Sequence, residues 1–262
     1  MAQRVAIGNN KGGAKKTTLT IRLAEALAKA GKRVLVIDMD PQGDASRRLG
    51  WTDDMTQNTT SEVVFANADG VASQAIQPIG WECEYASRIA LIPSRFTLED
   101  RAVEAGQKGA WRRLRRALAG ADDHFDYTLI DCPPSLGHLT QLALSASDFA
   151  LATTEPEHDS VKAAIKYRDF IPASLEDLGN PDLKFIGLVV SGYDQRVGAH
   201  QGQLSGTRET FGEMVWGVVP ERSTIVNADE YAQPLCDVKD SAEVRAVFEL
   251  LAERFIKEVP AP

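Results

Sequence analysis

The segment Asn10-Lys11-Gly12-Gly13-Ala14-Lys15-Lys16-Thr17-Thr18 concentrates small, basic and hydroxyl side chains. That mixture suits a chain of phosphates. Loop N–H groups bind phosphate oxygens, a lysine supplies charge and a hydroxyl supplies a Mg²⁺ ligand. Lys16 and Thr17 fill the last two roles. The general phosphate-loop pattern wants glycine where this chain has Asn10 and Lys15, so on this segment alone a Gly/Lys-rich turn capping a helix stays open. An ordinary φ at Lys15 leaves its side chain toward solvent or adds charge near a nucleotide, and this is the favoured expectation. A positive φ there costs of order 1 kcal/mol.

Two acidic segments accompany the loop. Asp38-Met39-Asp40-Pro41-Gln42-Gly43 and Asp131-Cys132-Pro133-Pro134-Ser135 each follow an apolar run. One aspartate after a strand is commonly a turn or cap residue. Carboxylates at the carboxyl ends of parallel strands face the crevice where α/β proteins bind ligands, and three such ends share one site here.

Positioning them requires strands, which the pattern predicts over residues 4–8, 33–38, 89–93, 127–131, 149–153, 185–191 and 215–219. Helical patterns lie between most of them. In the first, Leu19, Leu23, Ala26, Leu27 and Ala30 share a face and Gly31 marks the end. Others are expected over 98–106, 110–118, 160–178, 204–211 and 242–259. Continuous Val/Ile/Leu strands alternating with helices predict an α/β fold, a doubly wound, mostly parallel sheet with helices on both faces. The span 52–81 has no strong period and reads as a short helix within loops. No linker divides the chain, so residues 1–262 are expected to form a single domain.

The three motifs in this order resemble the ParA family of deviant Walker A partition ATPases, which is related to MinD. The likeness runs over nearly the whole chain, through Leu91-Ile92-Pro93-Ser94, residues 187–196 and Val219-Pro220-Glu221. It implies a P-loop NTPase that binds ATP or ADP with Mg²⁺ and hydrolyses ATP slowly, with stimulation by a partner. By position, residues Lys11, Gly12, Gly13, Ala14, Lys15, Lys16, Thr17 and Thr18 make the phosphate loop. Lys16 faces the β- and γ-phosphates, Thr17 binds Mg²⁺ directly, and Lys11 reaches across a sandwich homodimer to the partner's phosphates. Asp40 positions the attacking water near the metal, Asp131 holds Mg²⁺ through water, and Pro220 and Glu221 cradle adenine. The implied role is an ATP-dependent switch for plasmid or chromosome partitioning, working with non-specific DNA and a centromere-binding ParB-like protein. A weakly hydrolysing, MinD-like positioning protein for a protein cargo is the alternative.

Composition sets limits on these partners. The 262 residues carry 29 basic and 37 acidic side chains, a net of -8, so any polyanion site must be local. The resemblance puts DNA contacts among Lys162, Lys166, Arg168, Arg196, Arg208, Arg222 and Lys239. The basic run 108–116 reads as the solvated face of a helix anchored by Trp111, Leu114 and Leu118. Three cysteines without ligand spacing argue against structural zinc and disulfides. The four histidines lack paired spacing and are expected at surface or loop positions. No apolar run approaches the roughly 20 residues of a membrane span. The last helix is mixed in charge, which argues against a membrane partner; a cytoplasmic protein is expected, and the resemblance implies association with the nucleoid.

Overall fold

A computed structural model describes residues 1–52 and 58–261. The elements in chain order are β1 (Gln3–Gly8), α1 (Lys16–Lys29), β2 (Val34–Asp38), α2 (Asp44–Arg48), α3 (Thr60–Ala66), β3 (Gln77–Pro78), β4 (Ile89–Ile92) and α4 (Glu99–Ala102). They continue with α5 (Arg113–Ala117), β5 (Tyr127–Asp131), α6 (His138–Ala146), β6 (Phe149–Thr154) and α7 (His158–Ser174). The last are β7 (Lys184–Tyr193), α8 (Gly198–Phe211), β8 (Val215–Pro220), α9 (Ser223–Glu230) and α10 (Ala242–Glu258).

The strands form one sheet in the order β3-β4-β2-β5-β1-β6-β7-β8. All pairs are parallel except β3 with β4. The expected doubly wound α/β architecture is therefore present. Alternate residues of each strand feed two cores, with Val5, Ile7, Val34 and Val36 in one and Ala6, Leu35 and Ile37 in the other. Burial of each of these Val, Leu and Ile side chains stabilises by roughly 1.5–3 kcal/mol. Strands covered on both faces lose the polar alternation of a one-sided sheet, which is why they appear in the sequence as unbroken apolar runs.

Helix α1 ends as its sequence demands. Gly31 takes φ +84°, Gly31 N donates to Ala28 O, and Lys32 N donates to Leu27 O. That pair of bonds is a Schellman motif. Helix α10 buries Val244, Phe248, Leu251 and Phe255 in the same core as α1, and the Phe255 ring meets Tyr127 edge-on at 5.0 Å. Its apolar stripe thus faces the sheet.

Several expectations need correction. The span 52–81 contains α3, a 3₁₀ turn at Val71–Gln74 and the antiparallel edge strand β3; residues 53–57 of that span lie outside the described residues. The helix expected over 98–106 is four α residues flanked by 3₁₀ turns, and that over 110–118 is a 3₁₀ turn followed by α5. Arg113 in this basic run does not face water but turns inward to Glu104. His138, expected near the surface, is buried at the start of α6, where desolvation lowers its pKa.

Candidate functional site

Strand β1 lies between β5 and β6, so the chain fans to opposite sides on leaving it, and the loop after β1 sits at this switch point. The loop borders a cleft of about 480 Å³. Gly12, Gly13, Ala14, Lys15, Lys16, Thr17 and Thr18 line it, with Asp40 from the end of β2 and Pro220 and Glu221 from the end of β8. Asp131 lies beneath, fully buried.

The buried Lys16 Nζ donates to the backbone oxygen of Lys11 at 3.1 Å, curled over the loop. Thr17 Oγ1 donates to Asp131 Oδ2 at 2.7 Å, and Thr20 Oγ1 donates to the other carboxylate oxygen at 2.9 Å. The register of β2 on β5 sets Asp38 beside Asp131. Desolvation, with Asp131 close by, pushes Asp38 up to about 7, and desolvation likewise raises Asp131 to about 6. Asp38 Oδ2 accepts Ser46 N and Oγ at 2.9 and 2.7 Å, and its Oδ1 accepts Asp40 N at 3.1 Å. Asp38 thereby fixes the loop that carries Asp40. The half-buried Asp40 caps Gln42 N at 3.0 Å, and burial raises its pKa.

This donor set fits a hard divalent cation shared with phosphates. Among the described residues no group of three or more His, Cys, Asp or Glu side chains can hold a metal alone. Magnesium is commonly bound through one or two carboxylates plus substrate phosphates and waters, and a hydroxyl against a buried, crowded carboxylate offers the protein's share of such a shell.

Lys15 departs from expectation. It sits at φ 60°, ψ 27°, in the left-handed region, as the residue preceding α1. Its Nζ lies 3.5 Å from Glu221 Oε2 across the cleft. The side chain therefore spans from phosphate loop to β8 and does not point freely to solvent. Gly192, at φ +78°, makes room: a Cβ there would meet Glu221 Oε2 at 3.1 Å and Lys15 Cε at 3.6 Å.

Lys11 does not line the cleft of its own chain. Its Nζ bonds Glu157 Oε2 at 2.8 Å with Glu155 Oε2 at 4.0 Å; the hydrogen bond to Glu157 raises the lysine pKa and lowers that of the glutamate. Thr18 Oγ1 faces sideways, donating to Asp229 Oδ2 at 2.8 Å and lying 3.1 Å from Arg48 Nη1. Sequence reasoning placed Asp38 at an acidic strand end but gave it no role of its own, and it missed Arg48, Asp229, Glu155 and Glu157. Asp38 was visible as the last residue of an apolar strand; the others meet the loop only through tertiary contacts.

A family model described as an AAA domain matches residues 2–184. The chromosome partitioning protein ParA of Myxococcus xanthus is 34% identical over 239 residues, 90% of this chain and 82% of that protein. The chromosome-partitioning ATPase Soj of Thermus thermophilus is 31% identical over 261 residues, 98% of this chain and 96% of its own. The fold of apo McdA from Cyanothece superposes with a TM-score of 0.84 at 22% identity, covering 97% of this chain and 99% of that one. With a phosphate loop, two acidic strand ends and relatives matched over most of their length, the chain belongs to the ParA family of P-loop partition ATPases.

Proposed function

We propose that this chain binds ATP or ADP with Mg²⁺ and hydrolyses ATP slowly as a dimerisation switch for DNA partitioning. The observation that carries this reading is the division of the two lysines: Lys16 is buried in its own cleft, whereas Lys11 stands outside it. Phosphoryl transfer needs positioning and charge neutralisation more than covalent chemistry. Lys16 offsets charge on the β- and γ-phosphates, and Thr17 with Asp131 holds Mg²⁺, which neutralises phosphate oxygens when bound. Asp40, at the lip of the cleft, orients the attacking water. Lys11, released from Glu157, completes the partner's site in a homodimer. Pro220 and Glu221 border adenine.

DNA binding without sequence preference follows from joining two copies of a weak basic surface. Of the basic residues named from the sequence, Arg168, Arg196 and Arg222 pair with Asp169, Asp194 and Glu243. Lys162, Lys166, Arg208 and Lys239 are exposed and form no ion pair among the described residues, which leaves them for phosphates. Three arginines of the basic run 108–116 have partners within the chain: Arg113 meets Glu104, Arg116 meets Asp69 at the surface, and Arg115 meets the Gly179 carbonyl. A ParB-like partner stimulating hydrolysis and a cytoplasmic, nucleoid-associated location belong to the same reading. Among the described residues no helix is long and apolar enough to cross a membrane.

The test is sedimentation with Mg²⁺ and ATP, together with DNA titrations at several salt concentrations. Expected are an ATP-dependent dimer and ATP-dependent DNA affinity that falls steeply with salt; a sequence-specific footprint, or equal binding without nucleotide, would reject the mechanism. The left-handed Lys15 with its side chain in the cleft favours a second reading, a weakly hydrolysing positioning protein for a protein cargo. Turnover that stays negligible with DNA and with a cognate partner would select it.

A further inference from the structure

Arg48 ends the short helix α2, lines the cleft and keeps a side chain 20% exposed. Its Nη1 lies 2.7 Å from Asp229 Oδ2 and 3.1 Å from Thr18 Oγ1. Behind it runs a buried, charge-balanced relay. Asp229 Oδ1 accepts Arg22 Nη2 at 2.7 Å, and Arg22, with no exposed side-chain surface, donates Nη1 to Glu25 Oε2 at 2.7 Å. Glu25 Oε1 in turn accepts Tyr85 OH at 2.9 Å and Leu235 N at 2.6 Å. The Arg48 backbone is pinned as well, its carbonyl accepting Trp81 Nε1 at 3.0 Å.

An arginine so braced is preorganised, and its donors are not all used. Nε is buried without a partner, and Nη2 forms no hydrogen bond among the described residues. A guanidinium presents a planar fork suited to phosphate oxygens. Its neighbours bear on which phosphate. Lys16 and Thr17 line the cleft from the loop side, and Ile225, Val226 and Pro220 contribute apolar lining to the same cleft. Thr18 follows the Mg²⁺ candidate Thr17 in the chain and touches Arg48, so on the nucleotide reading Arg48 stands next to the phosphate nearest the sugar.

We propose that Arg48 binds the α-phosphate of the nucleotide in cis, as a cation preset by Asp229 and Arg22. This rests on the nucleotide reading above. The α-phosphate is common to ATP and ADP, so Arg48→Ala should weaken Mg-ATP and Mg-ADP binding by the same factor, roughly tenfold or more for a lost charge-assisted contact. Calorimetric titration of the full chain measures both. Arg48→Lys keeps the charge but not the fork, so it should recover part of the affinity and shift the α-phosphorus ³¹P resonance of bound ADP relative to wild type, leaving the β resonance in place. That shift is a readout a purely structural arginine would not give, and Arg48→Lys carries the test if Arg48→Ala fails to fold. Wild-type affinity in both variants would overturn the assignment, as would a loss confined to ATP, which would put Arg48 on the γ-phosphate. A wild-type chain that binds neither nucleotide would instead overturn the nucleotide reading itself.

Discussion

Lys15 sets conformational strain against an ion pair. A non-glycine residue in the left-handed region costs roughly 1–2 kcal/mol, while the pair with Glu221, with side chains 32% and 46% exposed, is worth well under 1 kcal/mol after solvent screening. Lys15→Gly should therefore stabilise the nucleotide-free chain by about 1 kcal/mol in urea denaturation, less whatever flexibility glycine adds to the unfolded state. A loss of more than 1 kcal/mol would show that the contact outweighs the strain. Asp131→Asn tests another side chain: it keeps the shape against Thr17 and Thr20 but removes the charge, so Mg²⁺-dependent nucleotide binding should weaken while Mg²⁺-free binding persists. Equal losses would count against a metal role. Lys16, Thr17, Asp40 and Asp131 could be found in the sequence because each sits beside an apolar run or at a helix start. Arg48 and Asp229 could not, being 181 residues apart, and Arg22 and Asp229 are 207 apart. Side chains that meet only through the tertiary fold leave no local spacing to detect.

At the scale of elements, the seven strands other than β3, and α1, were legible because their apolar content is periodic or continuous. Helix α6 was not. Nearly every residue from His138 to Ala146 is buried, and a helix buried all round offers no amphipathic period. Helix α2 is only five residues long, and its place is fixed by Asp38 receiving Ser46 more than by propensity. The last helix was legible in a way that bears on function, since its stripe could serve either a membrane or the sheet. In the fold, Phe255 is fully buried and touches the rings of Tyr127 and Trp216. Phe255→Ala should cost about 3–5 kcal/mol as a cavity mutation, read from the urea midpoint. A change below 1 kcal/mol would mean that α10 is only loosely docked and would reopen a surface role for it.

For the whole molecule, the question is why two lysines five residues apart in one phosphate loop should have separate tasks. Lys16 lies buried over the loop, while Lys11 reaches away to Glu157 and lines no part of its own cleft. Lys11→Ala should thus leave ATP binding nearly normal, because Lys16, Thr17 and the loop N–H groups remain, yet abolish hydrolysis and dimer closure together. Asp40→Ala should block hydrolysis by losing the water's position while the ATP-bound dimer accumulates. Mixing the two variants discriminates between chains. A heterodimer of Lys11→Ala with Asp40→Ala contains one cleft that holds its own Asp40 and receives the partner's intact Lys11, and that cleft should turn over. The other cleft lacks both groups, so the mixed dimer should reach at most half the activity of a wild-type dimer. Heterodimers that form but remain inactive would place Lys11 in its own chain's chemistry, and loss of ATP binding by Lys11→Ala alone would make it an ordinary loop lysine.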